Sequence, residues 1–268
     1  MIQVSALYCY PIKSLGGVPL KEAVVTDRGL LHDRRWMLVD ERGQFLSQRK
    51  FAQMALLQVS IGENGLLVQH KNNGHSIVIP FQPQTNHMLT VTVWDSTSKA
   101  QQVSAEADAW FSEMLQVSCR LVYMPEEQPI LVEPEYASGG EVTSFSDGYP
   151  FLLIGQASLD YLNSKLEAPV PMNRFRPNIV VSGSQPNAED FWSAFNIGNM
   201  PFFGVKKCGR CVVTTIDQDT GNTGKEPLKT LATYRQEGSK IYFGQNLLHR
   251  GTGTIRFGDE VTLLQTSS

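Results

Sequence analysis

The stretch Lys206–Gly221 reads KKCGRCVVTTIDQDTG and holds Cys208 and Cys211 three positions apart, with Lys206, Lys207 and Arg210 around them. Nearby cations favour thiolate over thiol. Four chemistries fit such a pair: a dithiol redox couple, half of a zinc site, one soft ligand to a cofactor metal, or two inert packed thiols. A thioredoxin-type pair opens a helix, whereas the Val-Val-Thr-Thr-Ile run after Cys211 predicts a strand. A structural zinc site needs four ligands; the sequence has four cysteines in all, five scattered histidines, no second CxxC and no HxxxH. Apolar burial alone does not call for three cations in five residues. A reactive thiolate at a loop-to-strand junction suits a soft metal ligand.

Other cations sit in short phrases. YPIKS carries Lys13 and Ser14, HDRRW carries Arg34 and Arg35, and NRFRPN carries Arg174 and Arg176 with Asn178. Taken singly, each is an ordinary solvated loop charge. Each also falls at the end of a predicted strand, where sites gather, and Lys and Arg with backbone N–H groups are the chemistry of phosphate binding. SFSDGYP, with Ser146, Asp147 and Gly148, adds hydroxyl and turn donors.

The elements that must position these residues are mostly strands. VSALYCY alternates and stops at Pro11; WMLVD and QFLSQ flank ERG as a hairpin; LLQVSI, LLVQH, SIVIPF and LTVTVW follow, separated by turn residues. EADAWFSEML is a helix, with Ala107, Trp110, Phe111, Met114 and Leu115 on one face. PEEQPILVEPE (125–135) holds three prolines and four glutamates and reads as a solvated connection near a domain boundary. QASLDYLNSKLE is a second helix with Leu159, Leu162 and Leu166 aligned, and AEDFWSAF a short helix or turn. FRPNIVVSG, CVVTTI, KIYFG and GTIRFGDEVTLL return to strand. The fold class expected is β-rich α+β, as two barrel-like parts that share an interface, over 1–125 and 126–268.

With 268 residues, 41% hydrophobic and 18% charged, the chain can bury a real core and is not disordered. A net charge of −3 gives no global field for nucleic acid. The N-terminus is too polar for a signal peptide, and no stretch approaches the ~20 apolar residues of a membrane span. A reducing cytoplasm is the expected location.

YPIKS, DRRW, SFSDGYPFLL, FRPNIVVSG and CGRCVVTTIDQDTG, followed by EPLKTL and FGQN, occur in the order found in the MOSC family, and the sequence resembles that family over essentially its whole length. It most resembles the amidoxime-reducing branch and the bacterial members that detoxify N-hydroxylated bases. The resemblance implies a MOSC β-barrel preceded by, and packed on, an N-terminal β-barrel domain. It implies a molybdenum–molybdopterin cofactor whose metal takes one protein thiolate, Cys211, with Cys208 a neighbour and not a ligand. Lys13, Ser14, Arg34, Arg176 and Asn178 match positions that hold the pterin and its phosphate. Ser146, Asp147, Gly148, Gly209 and Arg210 match positions that line the metal or pterin, and Asp147 is a candidate proton donor or orienting group. The implied activity is reduction of hydroxylamines, amidoximes and N-hydroxylated purines. Electrons would come from a ferredoxin-like, cytochrome b5-like or flavin reductase partner, or from a C-terminal redox domain that this sequence does not contain. Alternative functions are a cofactor carrier or sulfur-transfer module, and a structural β-barrel adaptor.

Overall fold

The computed structural model describes residues 1–137 and 139–267. Its largest sheet has nine strands, eight of them in the order Val18–Leu20, Gln3–Cys9, Ile179–Ser182, Phe151–Gly155, Lys240–His249, Met200–Gly209, Trp192–Ile197, Val261–Thr266. Phe151–Gly155 and Ile179–Ser182 run parallel, and the helix Gln156–Asn163 makes the crossover such a pair requires. Val4, Phe151, Ile197, Phe202 and Leu247 form the core against this sheet.

A second system of sheets comes from the first half. Trp36–Val39, Arg120–Tyr123, Ser96–Gln102 and Met88–Val93 make a four-stranded sheet, and Leu57–Ile61, Gly65–His70 and Ser76–Pro80 a meander. The helix Ala105–Leu115 covers the core with Ala107, Phe111 and Leu115, and the Ser104 side chain caps it by accepting from Ala107 N at 3.1 Å. The β-rich α+β class expected from the sequence is what forms.

The N-terminal residues cross between the systems. Gln3–Cys9 pairs with Ile179–Ser182, and Glu22–Thr26 pairs with Gly253–Arg256. This crossing carries the segments of Lys13 and Arg34 to the part of the chain that holds Arg176 and Cys211.

Several local expectations are corrected. Val212–Thr215 is a 3-10 turn, not a strand. Thr214 Oγ1 donates to Cys211 O at 3.0 Å and Thr215 Oγ1 to Val212 O at 2.8 Å, so side-chain bonds to the backbone override β propensity. QFLSQ contributes only bridges, one of them Val39↔Phe45, in place of a full hairpin strand. Met200–Gly209 is a ten-residue strand that Pro201 and Gly204 disguise in the sequence. A Cβ at Gly204 would lie 2.0 Å from Trp192 O, and the register shifts between Gly204 and Lys206, so the glycine marks a bulge under close backbone approach. EPLKTL opens a helix, Leu228–Arg235, with no strong apolar stripe to announce it. In AEDFWSAF, only Ala188–Phe191 is helical, and Trp192 begins a strand. The segment 125–135 is more than a solvated link: Ile130–Leu131 pairs with Val142–Thr143, Glu126 binds Arg28 and Arg35, and Glu133 binds Lys206.

Candidate functional site

A cavity of about 510 Å³ opens where the two sheet systems meet. Lys13, Ser14, Arg34, Ser146, Asp147, Arg176, Asn178, Gly209, Arg210 and Cys211 all line it. Gly148 belongs to the same turn, at φ 112°, but lies outside the cavity wall. Four lysines and four arginines face two carboxylates, Glu133 and Asp147, a formal excess of six positive charges on a chain that is net −3. Low-dielectric walls focus such a field on anions.

Four of the lining residues hold left-handed backbone without being glycine: Ser14 (φ 69°), Arg34 (φ 49°), Trp94 (φ 54°) and Arg176 (φ 56°). Each such residue costs of order 1 kcal/mol or more and persists where surrounding structure over-determines it, a pattern that clusters at ligand sites. Here the surroundings are backbone bonds: Lys13 N donates to Trp36 O at 2.8 Å, Arg34 N to Tyr10 O at 2.9 Å, and Phe145 N to Arg34 O at 3.0 Å.

Arg34 is held by three acceptors, one of them Arg176 O, which accepts from its Nη2 at 3.4 Å. It pairs with the buried Asp33 carboxylate, and its Nη1 also donates to Asn178 Oδ1 at 2.9 Å. Asp33 in turn accepts from Tyr10 N at 2.7 Å. The guanidinium carbons of Arg34 and Arg176 lie over the buried Tyr10 ring at 4.5 and 4.3 Å. Arg176 Nη1 donates to Leu15 O at 2.7 Å. Burial, with Arg34 close by, lowers the Arg176 pKa to about 10 against the pull of Tyr10 and the acids.

Lys13 Nζ donates to Phe145 O at 2.7 Å and to Asp147 Oδ1 at 2.5 Å. Burial lowers the Lys13 pKa, partly offset by Asp147. The crowded cleft would raise the pKa of Asp147, yet Lys13, with Trp94 and Arg49, overrides this and holds the carboxyl well below the usual range. Its side chain is still 66% exposed, so no stability value follows from that pair. Ser146 Oγ donates to Tyr149 O at 2.7 Å within its own turn.

The two cysteines are free, half-buried and differently held. Arg210 Nη1 donates to Cys208 Sγ at 3.0 Å while Nη2 donates to Phe175 O at 2.6 Å. Cys211 Sγ has no hydrogen bond among the described residues and lines the cavity at the head of the four-residue 3-10 turn. That turn removes one ground for setting a dithiol aside, since the run is not a strand. It is also too short to supply the helix N-terminus such a pair uses.

Sequence reasoning missed Tyr10 and Asp33, which support the two arginines from beneath, and Phe45, Arg49 and Trp94, which wall the cavity on the N-terminal side. Asp33 had a signal, as an acid between the strand end and two arginines in HDRRW. Trp94 had none beyond a hairpin tip. The donor set fits a large anionic group: buried cations outnumber their acids, and Arg210 Nε is buried in the wall without a partner among the described residues.

A model of the MOSC N-terminal beta barrel domain matches residues 1–118, and one of the MOSC domain matches 140–262. Mitochondrial amidoxime-reducing component 1 of Mus musculus is 35% identical over 279 residues, 97% of this chain and 82% of that protein. The human protein of the same name is 34% identical over 280 residues, with the same coverage. Molybdenum cofactor sulfurase of Solanum lycopersicum is 30% identical over 96% of this chain but only 35% of its own length. Among solved structures, the YuaD protein of Bacillus subtilis aligns over 97% of this chain and 94% of its own with a TM-score of 0.42 and 10% identity. By its two domain models and by the two amidoxime-reducing relatives, which match 97% of it, the chain belongs to the MOSC family.

Proposed function

We propose that this chain binds a molybdenum–molybdopterin cofactor in the cationic cleft and reduces N-hydroxylated compounds to amines or amidines. The observation that carries this reading is the meeting of Lys13 and Arg34 with Arg176 and Cys211 on one cavity. Lys13, Arg34, Arg176 and Asn178 would hold the pterin and its phosphate, with Ser14 and the Ser146–Gly148 turn beside them. Cys211 would ligate the metal through its unbonded thiolate, and Gly209 and Arg210 would line it. When bound, the group would supply two-electron chemistry which, with two protons, turns N–OH into N–H and water.

The residues then do separate work. Arg210, tied to Cys208 Sγ and Phe175 O, holds the strand end on which Cys211 follows. Asp147 orients: it fixes Lys13 and accepts from Trp94 Nε1 at 3.0 Å. A carboxyl kept ionised this firmly is a poor proton donor at neutral pH, so of the two roles expected for Asp147 we favour positioning. Electrons come from a separate donor protein, since the sequence has no G-x-G-x-x-G phrase for a nicotinamide or flavin dinucleotide. We place the protein in the cytoplasm, in keeping with four free cysteines; no helix among the described residues is long and apolar enough to cross a membrane. The sulfurase relative is matched over 35% of its length, which gives the carrier reading a narrower basis.

The test is turnover. Protein from cofactor-sufficient cells should convert benzamidoxime to benzamidine with reduced methyl viologen and should not do so with NADH alone. Absence of turnover by molybdenum-loaded protein would overturn the reading.

A further inference from the structure

Trp94 sits at the tip of the two-residue hairpin loop that joins Met88–Val93 to Ser96–Gln102, with Val93 paired to Ser96. Its φ of 54° is left-handed, a conformation that hairpin loops usually give to Asn, Asp or Gly. The indole is 42% exposed yet tied down by three contacts. Its Nε1 donates to Asp147 Oδ1 at 3.0 Å, the Arg49 guanidinium carbon lies 4.1 Å from the ring, and Phe45 meets it edge-on at 4.7 Å and 68°. Phe45 is itself under Lys13 Nζ at 5.3 Å. All five side chains line the cleft.

A large aromatic held in a rare backbone conformation, half in water, is not there to stabilise the core. It is pre-ordered, so a partner ring that stacks on it incurs little ordering cost. Through Asp147 it stands one side chain away from Lys13, so its place is fixed relative to the cations deeper in the cleft. The Arg49 guanidinium against the ring disfavours a cationic guest there. We propose that Trp94, backed by Arg49 and Phe45, is the substrate platform of the cleft and selects neutral, planar aromatic N-hydroxy compounds over aliphatic ones. This rests on the function proposed above for the same site.

The experiment compares benzamidoxime with acetamidoxime, which differ only in phenyl against methyl. In oxidised protein as purified, without an electron donor, calorimetry should show benzamidoxime binding roughly three- to tenfold weaker in Trp94→Ala, the range expected for one lost aromatic pair, with recovery in Trp94→Phe. Binding should also quench tryptophan fluorescence in the wild type and not in Trp94→Phe, because Trp36 and Trp192 are buried and Trp110, half-buried on the helix Ala105–Leu115, does not line the cleft. With reduced methyl viologen, the benzamidoxime-to-acetamidoxime ratio of kcat/KM should fall by the same factor in Trp94→Ala, mainly through KM. An unmoved ratio, equal benzamidoxime affinity in wild type and Trp94→Ala, or no benzamidoxime binding would overturn the platform. If binding weakens as stated but neither amidoxime is turned over, the platform stands and the reductase reading fails.

Discussion

Arg176 is a cation whose burial costs the fold, and replacing it should separate stability from cofactor binding. Its pKa is lowered to about 10, mainly through burial. An arginine with a folded-state pKa below its unfolded value destabilises the fold at every pH below about 10, and the penalty fades only as pH rises from there towards the ordinary arginine range. Unscreened, the drop corresponds to about 3 kcal/mol at neutral pH. Arg176 is half-buried at an open cleft, so water takes roughly half of that, leaving about 1.5 kcal/mol. Arg176→Met removes this penalty and loses the bond to Leu15 O, worth about 1 kcal/mol, while its stem still packs on Tyr10. The left-handed backbone is the same in both proteins. Cofactor-free Arg176→Met should therefore be within about 1 kcal/mol of wild type in urea unfolding, where an ordinary buried hydrogen-bonded side chain would cost more. Added NaCl should stabilise the cofactor-free wild type more than the variant, because salt screens the cation cluster. Cofactor retention should fall ten- to a hundredfold, the loss of about 1.5–3 kcal/mol for one charged contact. A variant less stable by more than about 2 kcal/mol, with no difference in salt response, would refute the picture of a strained cationic cleft.

Cys211→Ser should abolish most amidoxime turnover while the fold persists, and Cys208→Ser should keep measurable activity; equal losses would point to a dithiol acting as a pair, and X-ray absorption should show one sulfur fewer at molybdenum only in Cys211→Ser. Asp147 has a depressed folded-state pKa, so its contribution to stability is present above the unfolded carboxyl range and is lost only in strong acid; Asp147→Asn should flatten that acid dependence in urea titrations and should not shift the pH–rate profile between about pH 5 and 8. Ser104→Ala removes the cap on Ala105–Leu115 and should cost about 1 kcal/mol by chemical denaturation, without changing cofactor content. Gly204→Ala should destabilise by well over 2 kcal/mol or prevent folding, because its Cβ would strike Trp192 O, and a thermal melt indistinguishable from wild type would contradict the bulge.

Much of the site was legible because its residues come in short phrases at strand ends: Lys13 with Ser14, Arg34 after Asp33, Arg176 with Asn178, and the cysteine pair. The period-2 runs announced strands such as Gln3–Cys9 and Leu57–Ile61 for the same local reason. What was hidden depends on non-local contacts. Tyr10 reads as one more strand aromatic until two arginines from 34 and 176 stack on it. Trp94 reads as a strand end until the fold sets its hairpin tip beside Asp147. Val212–Thr215 has strand-forming residues, yet Thr hydroxyls bonding back to the chain close a turn. Pro201 and Gly204 look like breakers in a segment that the neighbouring strands hold extended.

The central claim is that the cleft holds a molybdenum–pterin group on these cations and Cys211. The most direct measurement is molybdenum and pterin content of the purified protein from cofactor-sufficient cells, set beside benzamidoxime reduction by reduced methyl viologen on the same sample. About one molybdenum and one pterin per chain, with turnover proportional to metal content across preparations, is the predicted result. Metal-free, pterin-free protein from cells that load other molybdenum proteins, or turnover that does not follow molybdenum, would contradict it.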